Sequence, residues 1–432
     1  MNTTLPLGWV SKPLINLADY FNGAAFNEKH WAKDGLPIIR IEQINNPEAE
    51  TDKYNGPILP TNYINSGDLI FSWSATLKAV IWTNGPAVLN QHLYKVVPKK
   101  SIDLELLRQI LDFYMDRLAG QSQGSTMRHV TRKELSRFEV IYPADPNVQQ
   151  KIARILRTID RAIEQTEALI YKYQQIKAGL MHDLFTRGIG PDGQLRPSRK
   201  QAPHLYQQTP IGWIPKEWGI GKTMDVLDSV VDGPFGSNLK TEHYISDPGV
   251  RVVRLQNVAE YEYNDNDKAF ISEHYANYLI RNQVIGNDVL IAGLGEERYP
   301  VGRSCLYPEN LPPAVNKADC FRARCNPNTA LNTYYMLFLN CEFARNQIRR
   351  YEQGVTRPRI NTGNLKKILI PLPSLEEQSQ ISSKFSAIQQ RVSVELRNVE
   401  KLQKQKSGLM HDLLTGKVPV NADDESPESA HV

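Results

Sequence analysis

Cysteine is scarce in this 432-residue chain: Cys305, Cys320, Cys325 and Cys341 all lie in its second half, and none forms a Cys-x-x-Cys pair. That spacing offers neither a zinc ribbon nor a disulfide framework, and it reads as free structural thiols in a reducing compartment. No run of about 18 apolar residues occurs, and the opening MNTTLPLGWV has neither the basic flank nor the apolar stretch of a secretory leader. A cytoplasmic protein without membrane contact is expected. Net charge is only +4, so the total names no partner and local charge must do so.

Catalytic signatures are missing as well. Gly221-Lys222-Thr223 has the end of a phosphate loop, but Lys216 fills the required leading glycine position. Leu311-Pro312-Pro313-Ala314 lacks the Asn or Asp and the aromatic that amino-methyltransferase motifs place around their prolines. No glycine-rich loop for a methyl donor and no carboxylate-plus-lysine nuclease set is found. His182-Asp183 and His411-Asp412 are adjacent pairs, whose members point about 100° apart on a helix and cannot act as one acid–base unit. Helix-end packing or a docking surface is the simpler reading. No catalytic residue and no metal ligand set is assigned.

What the chain does contain is a duplication. GLMHDLFTRGI (residues 179–189) recurs about 229 residues later as GLMHDLLTGKV (residues 408–418), each closing a heptad-like apolar run. The first seam reads Ile152, Leu156, Ile159, Ile163, Thr166, Ile170, Tyr173, Lys177, Leu180 and Leu184. The second reads Ile381, Phe385, Ile388, Val392, Glu395, Val399, Leu402, Lys406, Leu409 and Leu413, with the polar interruptions in register. This 4-3 spacing predicts two long helices that pack along their length.

Before each helix lies a related globular segment. Residues 36–44 and 250–258 read as strands, residues 67–77 pair with 287–297 behind a Gly or Asn-Asp turn, and residues 86–96 pair with 313–323. A shorter helix follows over 104–120 and 331–351, then GSTMRHVTRKELSRFEVIYP (residues 124–143) and its match GVTRPRINTGNLKKILIPLP (residues 354–373). The resulting division is 1–145 globular, 146–185 helix, 186–210 linker, 211–373 globular, 374–416 helix and 417–432 disordered acidic tail.

Basic residues cluster at matched places. Arg117, Arg128, Arg132, Lys133 and Arg137 face only Glu134 in one copy; Arg345, Arg349, Arg350, Arg357, Arg359, Lys366 and Lys367 face Glu342 and Glu352 in the other. One such run is commonly a solvated face, whereas two on two copies of one fold suit a phosphate footprint. Beside them stand residue types that read base edges: Asn90, Gln91, His92, Ser125, Thr126, Arg128 and His129, then Asn316, Lys317, Thr356, Arg357, Arg359 and Asn361. Gly233-Pro234-Phe235-Gly236-Ser237 could bring backbone close to a phosphate, and is equally well a plain turn. The first copy has only Phe21-Asn22-Gly23 there.

GPFGS, the GVTRPRIN segment, the LPSLEEQ helix start and the GLMHDLLTGK helix end together resemble the specificity subunits of type I restriction-modification enzymes, over nearly the whole chain. The resemblance implies an α+β fold: two strand-rich target-recognition domains with small helices, joined by two long antiparallel coiled-coil helices in a pseudo-two-fold repeat. It implies a non-catalytic subunit whose domains each read one half of a bipartite site in double-stranded DNA. Two modification (methyltransferase) subunits with S-adenosylmethionine and restriction subunits with ATP and Mg would be partners, the chain itself holding no cofactor. An orphan or inhibitory specificity protein, and a structural coiled-coil adaptor that binds proteins, are the alternatives.

The seam itself argues for antiparallel helices. In parallel register Lys177 would meet Lys406, whereas pairing Ile152 with Leu413 places Lys177 near Ile388 and Lys406 near Ile159. At 1.5 Å per residue the seam would span roughly 50 Å. That is about 15 base pairs of duplex, so the helices are expected to act as a ruler between two readers.

Overall fold

In both halves the chain enters a sheet through the same turn. Gly67 (φ +95°) and Asn287 (φ +66°) adopt the left-handed conformation that glycine and asparagine tolerate best. The aspartates that follow, Asp68 and Asp288, accept the backbone N–H of Asn65 and Ile285, each at 2.8 Å. Strands Leu69–Ser72 and Val289–Ala292 leave these turns with every residue buried, which suits central strands covered on both faces. The computed structural model describes residues 5–46, 49–74, 76–120, 130–246, 248–296, 298–354 and 356–422. The chain forms two compact units, Met1–Ala168 with Glu395–Val432, and Leu169–Val394. Most of the expected acidic tail, residues 423–432, lies outside the described residues.

The first unit holds two four-stranded sheets. One is antiparallel in the order Ala18–Asn22, Leu93–Pro98, Leu69–Ser72, Lys78–Ile81. In the other, Leu36–Ile39 and Ala87–Leu89 run parallel between shorter strands. Helix Leu104–Gly120 contributes Leu106, Leu107, Ile110 and Leu111 to the core that Leu69, Phe71, Tyr94 and Val96 supply from the first sheet. The second unit repeats the plan. Leu227–Val231, Cys320–Cys325, Val289–Ala292 and Ser304–Leu306 form an antiparallel sheet, and Val250–Val253 runs parallel to Ala314–Asn316 in a five-stranded one. All four cysteines are buried free thiols.

The single helix expected over 331–351 is two, Asn332–Asn340 and Glu342–Tyr351. Buried Asn340 sends its amide to the Ser304 carbonyl (2.8 Å) and accepts from the Ser304 N–H (3.1 Å), and Cys341 turns extended (ψ 164°). The helix thus ends where its own last side chain bonds the backbone of strand Ser304–Leu306, although the local apolar pattern continues.

Both long helices begin on built caps. Asp145 accepts the Asn147 N–H (2.8 Å) ahead of Pro146–Thr186, and Ser374 accepts the Glu377 N–H (3.2 Å) ahead of Leu375–Leu414. A buried glutamine pins each start. Gln149 donates to the Ser101 and Pro143 carbonyls (3.1 and 2.8 Å) and accepts from Asp103 N–H (2.7 Å). Gln378 repeats this with Thr329 and Pro373 (3.1 and 3.0 Å) and Leu331 N–H (2.9 Å).

Every seam position is buried or half-buried. In the first unit Ile152 and Leu156, from the start of one helix, share a core with Leu413 from the end of the other. In the second unit Leu184, from the end of the first helix, shares a core with Ile381 and Phe385 from the start of the second. Helices that pair in this way run antiparallel.

The two seam lysines are accommodated differently. Lys177 lies over the rings of Tyr261 (4.3 Å) and Phe385 (5.3 Å), and burial lowers its pKa against a weaker pull from Glu260 and Glu262. Lys406 pairs with Asp112 (3.0 Å) and with Asp160 (2.9 Å), the neighbour of Ile159, and Arg108 also pairs with Asp160. Burial works against its charge, but the two carboxylates outweigh burial and raise its pKa.

Residues 186–210, read as a linker, are packed as a strap. Ile189 and Tyr206 are buried, and the Arg196 guanidinium meets the Glu377 carboxylate at 2.5 and 3.1 Å. Glu377 also accepts from Ile189 N–H (2.7 Å) and Trp218 Nε1 (3.1 Å). A Cβ at Gly188 (φ +64°) would run into Glu377 and Trp218, so only glycine fits this crossing.

Candidate nucleic-acid interface

In the second unit the candidates gather at one end of the antiparallel sheet, where Leu227–Val231 ends, Cys320–Cys325 begins and Val289–Ala292 ends. Gly233 lies so close to the Lys317 carbonyl that a Cβ would overlap it, which accounts for the first glycine of GPFGS. Phe235 is exposed (51%), and Gly236 and Ser237 follow it into solvent. Residues 317–320 close a turn through the Cys320 N–H to the Lys317 carbonyl (3.0 Å), with Asp319 left-handed (φ +62°). The Asp319 carbonyl accepts from Gly293 N–H (2.7 Å), and the Gly293 carbonyl from Ile360 N–H (3.0 Å). Gln353 and Arg359 exchange backbone bonds of 3.0 and 2.9 Å, forming a hairpin from which Thr356, Arg357 and Arg359 face solvent. A second hairpin, closed between Glu296 and Tyr299 (2.8 and 3.0 Å), lies beside it through the Gly295 N–H to the Pro358 carbonyl (2.9 Å).

Other candidates also make bonds within the fold, and among them Asn316 is buried while Asn361 is exposed. Asn316 is fully buried, donating to the Val231 (3.0 Å) and Cys320 (2.6 Å) carbonyls and accepting from Asn282 (3.2 Å). It holds the turn together and cannot reach a base edge, which corrects its assignment as a reader. Asn361 accepts the Asn364 N–H (2.8 Å) as the cap of Thr362–Leu365. Lys317 donates to the Tyr244 hydroxyl (3.0 Å) over the same ring. Among the clustered arginines, Arg345 is spent on the Val301 carbonyl (2.8 Å), Glu260 (2.7 Å) and Asn340 (2.9 Å), and so leaves the phosphate footprint.

The first unit builds the same scaffold from different side chains. A Cβ at Gly23 would overlap the carbonyls of Leu89 and Asn90, as one at Gly233 would overlap that of Lys317. Asn62 donates to the Asn22 carbonyl (3.1 Å) as Asn282 does to that of Asp232 (2.8 Å). Residues 90–93 close the matching turn, Leu93 N–H to the Asn90 carbonyl at 3.0 Å. Val130 N–H meets the Trp73 carbonyl (2.9 Å) where Ile360 meets Gly293. Asn90 is buried, its side chain turned to the His92 N–H (3.4 Å), and is a turn residue for the same reason as Asn316. Gln91 is exposed, and His92 is half-buried with its ring 5.8 Å from that of Trp73. Arg132 donates inward to the Tyr20 carbonyl. Ser125, Thr126, Arg128 and His129 lie outside the described residues.

Three residues at the second unit's edge escaped the sequence reading. Arg298 and Tyr299 are exposed on the shorter hairpin. Asp319 contacts Arg359 (Oδ2 to Nη2, 3.3 Å), and its own N–H donates to Asp232 Oδ1 (3.1 Å). Burial first, then the neighbouring Asp319 charge, pushes the Asp232 carboxyl up to about 6. The edge therefore offers exposed guanidiniums and aromatic faces on closely pinned backbone, with two carboxylates behind them. That combination suits base edges and phosphates.

The family model for the type I restriction modification DNA specificity domain matches residues 6–172 and again 215–404. The MjaVIII type I restriction enzyme specificity subunit of Methanocaldococcus jannaschii is 25% identical over 363 residues, 83% of this chain and 80% of that protein. The EcoBI specificity subunit of Escherichia coli is 23% identical over 383 residues, 86% and 77% of the two chains. Among solved structures, the S subunit of a type I restriction-modification system from M. genitalium shares the fold over 97% of this chain and all of its own, with a TM-score of 0.59 at 12% identity. No helix among the described residues is long and apolar enough to cross a membrane.

Proposed function

Because the chain belongs to the type I restriction modification DNA specificity domain family and carries that domain twice, we propose that it is the specificity subunit of a type I complex, each unit reading one half of a bipartite site in duplex DNA. The observation that carries this reading is the repeated scaffold at the sheet end. Gly23 and Gly233 hold the same crossing, while the side chains displayed around them differ. Two readers of two half-sites need that division between conserved backbone and altered surface.

The chain's own part is to bind and to position. Phe235, Ser237, Thr356, Arg357, Arg359 and Asn361 in the second unit, and Gln91 and His92 in the first, are described sequence candidates exposed or half-buried at this end, with Gly236 allowing close backbone approach. The paired long helices set the gap and dock two modification subunits. Methyl transfer from S-adenosylmethionine, and ATP- and Mg-dependent cleavage once restriction subunits join, belong to those partners in the cytoplasm; this chain is non-catalytic.

Duplex binding by the purified chain, measured across a salt series and against scrambled duplexes, tests the reading. A steep fall of affinity with salt together with preference for a split site is expected. Binding that is flat in salt and indifferent to sequence would instead favour a protein-binding adaptor.

A further inference from the structure

The contact between Arg359 and Asp319 is not accounted for by stability. A part-exposed ion pair contributes little. Asp319 is held left-handed, which costs energy in any residue with a Cβ, and it sits against a second carboxylate, Asp232. The surroundings nevertheless fix it closely. Its N–H is bound to Asp232 (3.1 Å), its carbonyl to Gly293 N–H (2.7 Å), and its side chain is 19% exposed. Arg359 is fixed at the backbone by Gln353 and Leu294, while its guanidinium is 57% exposed.

Resting on the reading above, we infer that Arg359 is a specificity-determining residue that reads a guanine in the half-site of the second unit, and that Asp319, anchored by Asp232, is the residue that positions it. A guanidinium held on one side by a carboxylate presents its remaining N–H groups as a fixed planar fork. The O6 and N7 acceptors of guanine match such a fork. The matched turn of the first unit has Asn22 in place of Asp232 and His92 in place of Asp319, so it has no such carboxylate pair and its half-site is read by other means.

The test is selection of duplexes from a randomised pool by the full-length chain, followed by sequencing, for wild type and three variants. Arg359→Ala should lose preference for guanine at one position of one half-site by roughly tenfold or more. Arg359→Lys keeps the charge for phosphate but not the fork, and should relax the same position. Asp319→Gly removes the carboxylate where glycine suits the backbone, so thermal stability should hold or rise while discrimination at that position falls. A purely structural role predicts the reverse, lower stability with the motif intact. A split wild-type motif unchanged in all three variants overturns this inference and leaves the subunit reading standing; a wild type that selects no motif overturns the reading itself.

Discussion

Lys177 and Lys406 occupy one heptad position and are stabilised by opposite means, so the same substitution should have different effects. Lys406→Met strands Asp112 and part of Asp160 and should destabilise the first unit by about 1 to 3 kcal/mol. Lys177→Met removes a charge that burial already disfavours, and should stay within about 1 kcal/mol of wild type, since it loses two ring contacts and a weak attraction to Glu260 and Glu262. Hydrogen exchange read unit by unit separates the two. The pH dependence follows the signs. The pKa of Lys406 is raised by folding, so its stabilisation is complete below its ordinary value of 10.5 and is lost as pH climbs through the folded value. Burial would raise Asp160, but Lys406 and Arg108 outweigh it and hold its pKa below the ordinary 3.8; that contribution is present above 3.8 and is lost as pH falls through the folded value. Chemical denaturation across pH should show both losses in wild type and smaller ones in Lys406→Met. The sequence placed these lysines in the seam correctly, yet it could not foresee the carboxylates, because Asp112 is brought to Lys406 from a different helix almost three hundred positions earlier.

The long helices were legible because their period is local: a 4-3 apolar repeat and a capping Ser or Asp are visible in any short window. The strap over 186–210 was not. Arg196 stands among polar residues, and its partner Glu377 lies in the first turn of the other long helix. Glu377→Ala removes one of the two carboxylates paired with Arg196, Glu217 remaining at 2.8 Å, and should cost about 1 to 3 kcal/mol by also leaving Ile189 N–H and Trp218 Nε1 without their acceptor, with protection lost over the strap and the helix start in hydrogen exchange. Gln378→Ala, next to it, leaves backbone groups of residues 329, 331 and 373 without their partner, and should cost about 1 to 3 kcal/mol. The same distinction governs the interface. GPFGS and GVTRPR could be found as words, but Asn316 and Asn361 have the composition of base readers and the bonding of turn and cap residues. Tertiary contacts separate those roles for Asn316, whereas the Asn361 cap is a local bond, and only tertiary contacts reveal Asp319 behind Arg359.

Each long helix runs unbroken from residues of one unit into residues of the other, which is why the helices are proposed to set the spacing of the half-sites. Removing one heptad from each helix should shorten the seam by about 10 Å and the gap by about 3 base pairs at 3.4 Å each. Site mapping should then return both half-sites intact around a shorter gap, and an unchanged gap would remove the ruler role. The duplication itself was plain in the sequence; its consequence, two scaffolds of one design displaying different side chains, needed the matched crossings at Gly23 and Gly233. Single-molecule methylome sequencing of cells with and without this chain tests most directly whether two units read two half-sites. A methylated motif of two defined half-sites around a fixed gap, present only with the chain, is expected. A methylome unaffected by its removal, or a single undivided motif in its presence, would contradict it.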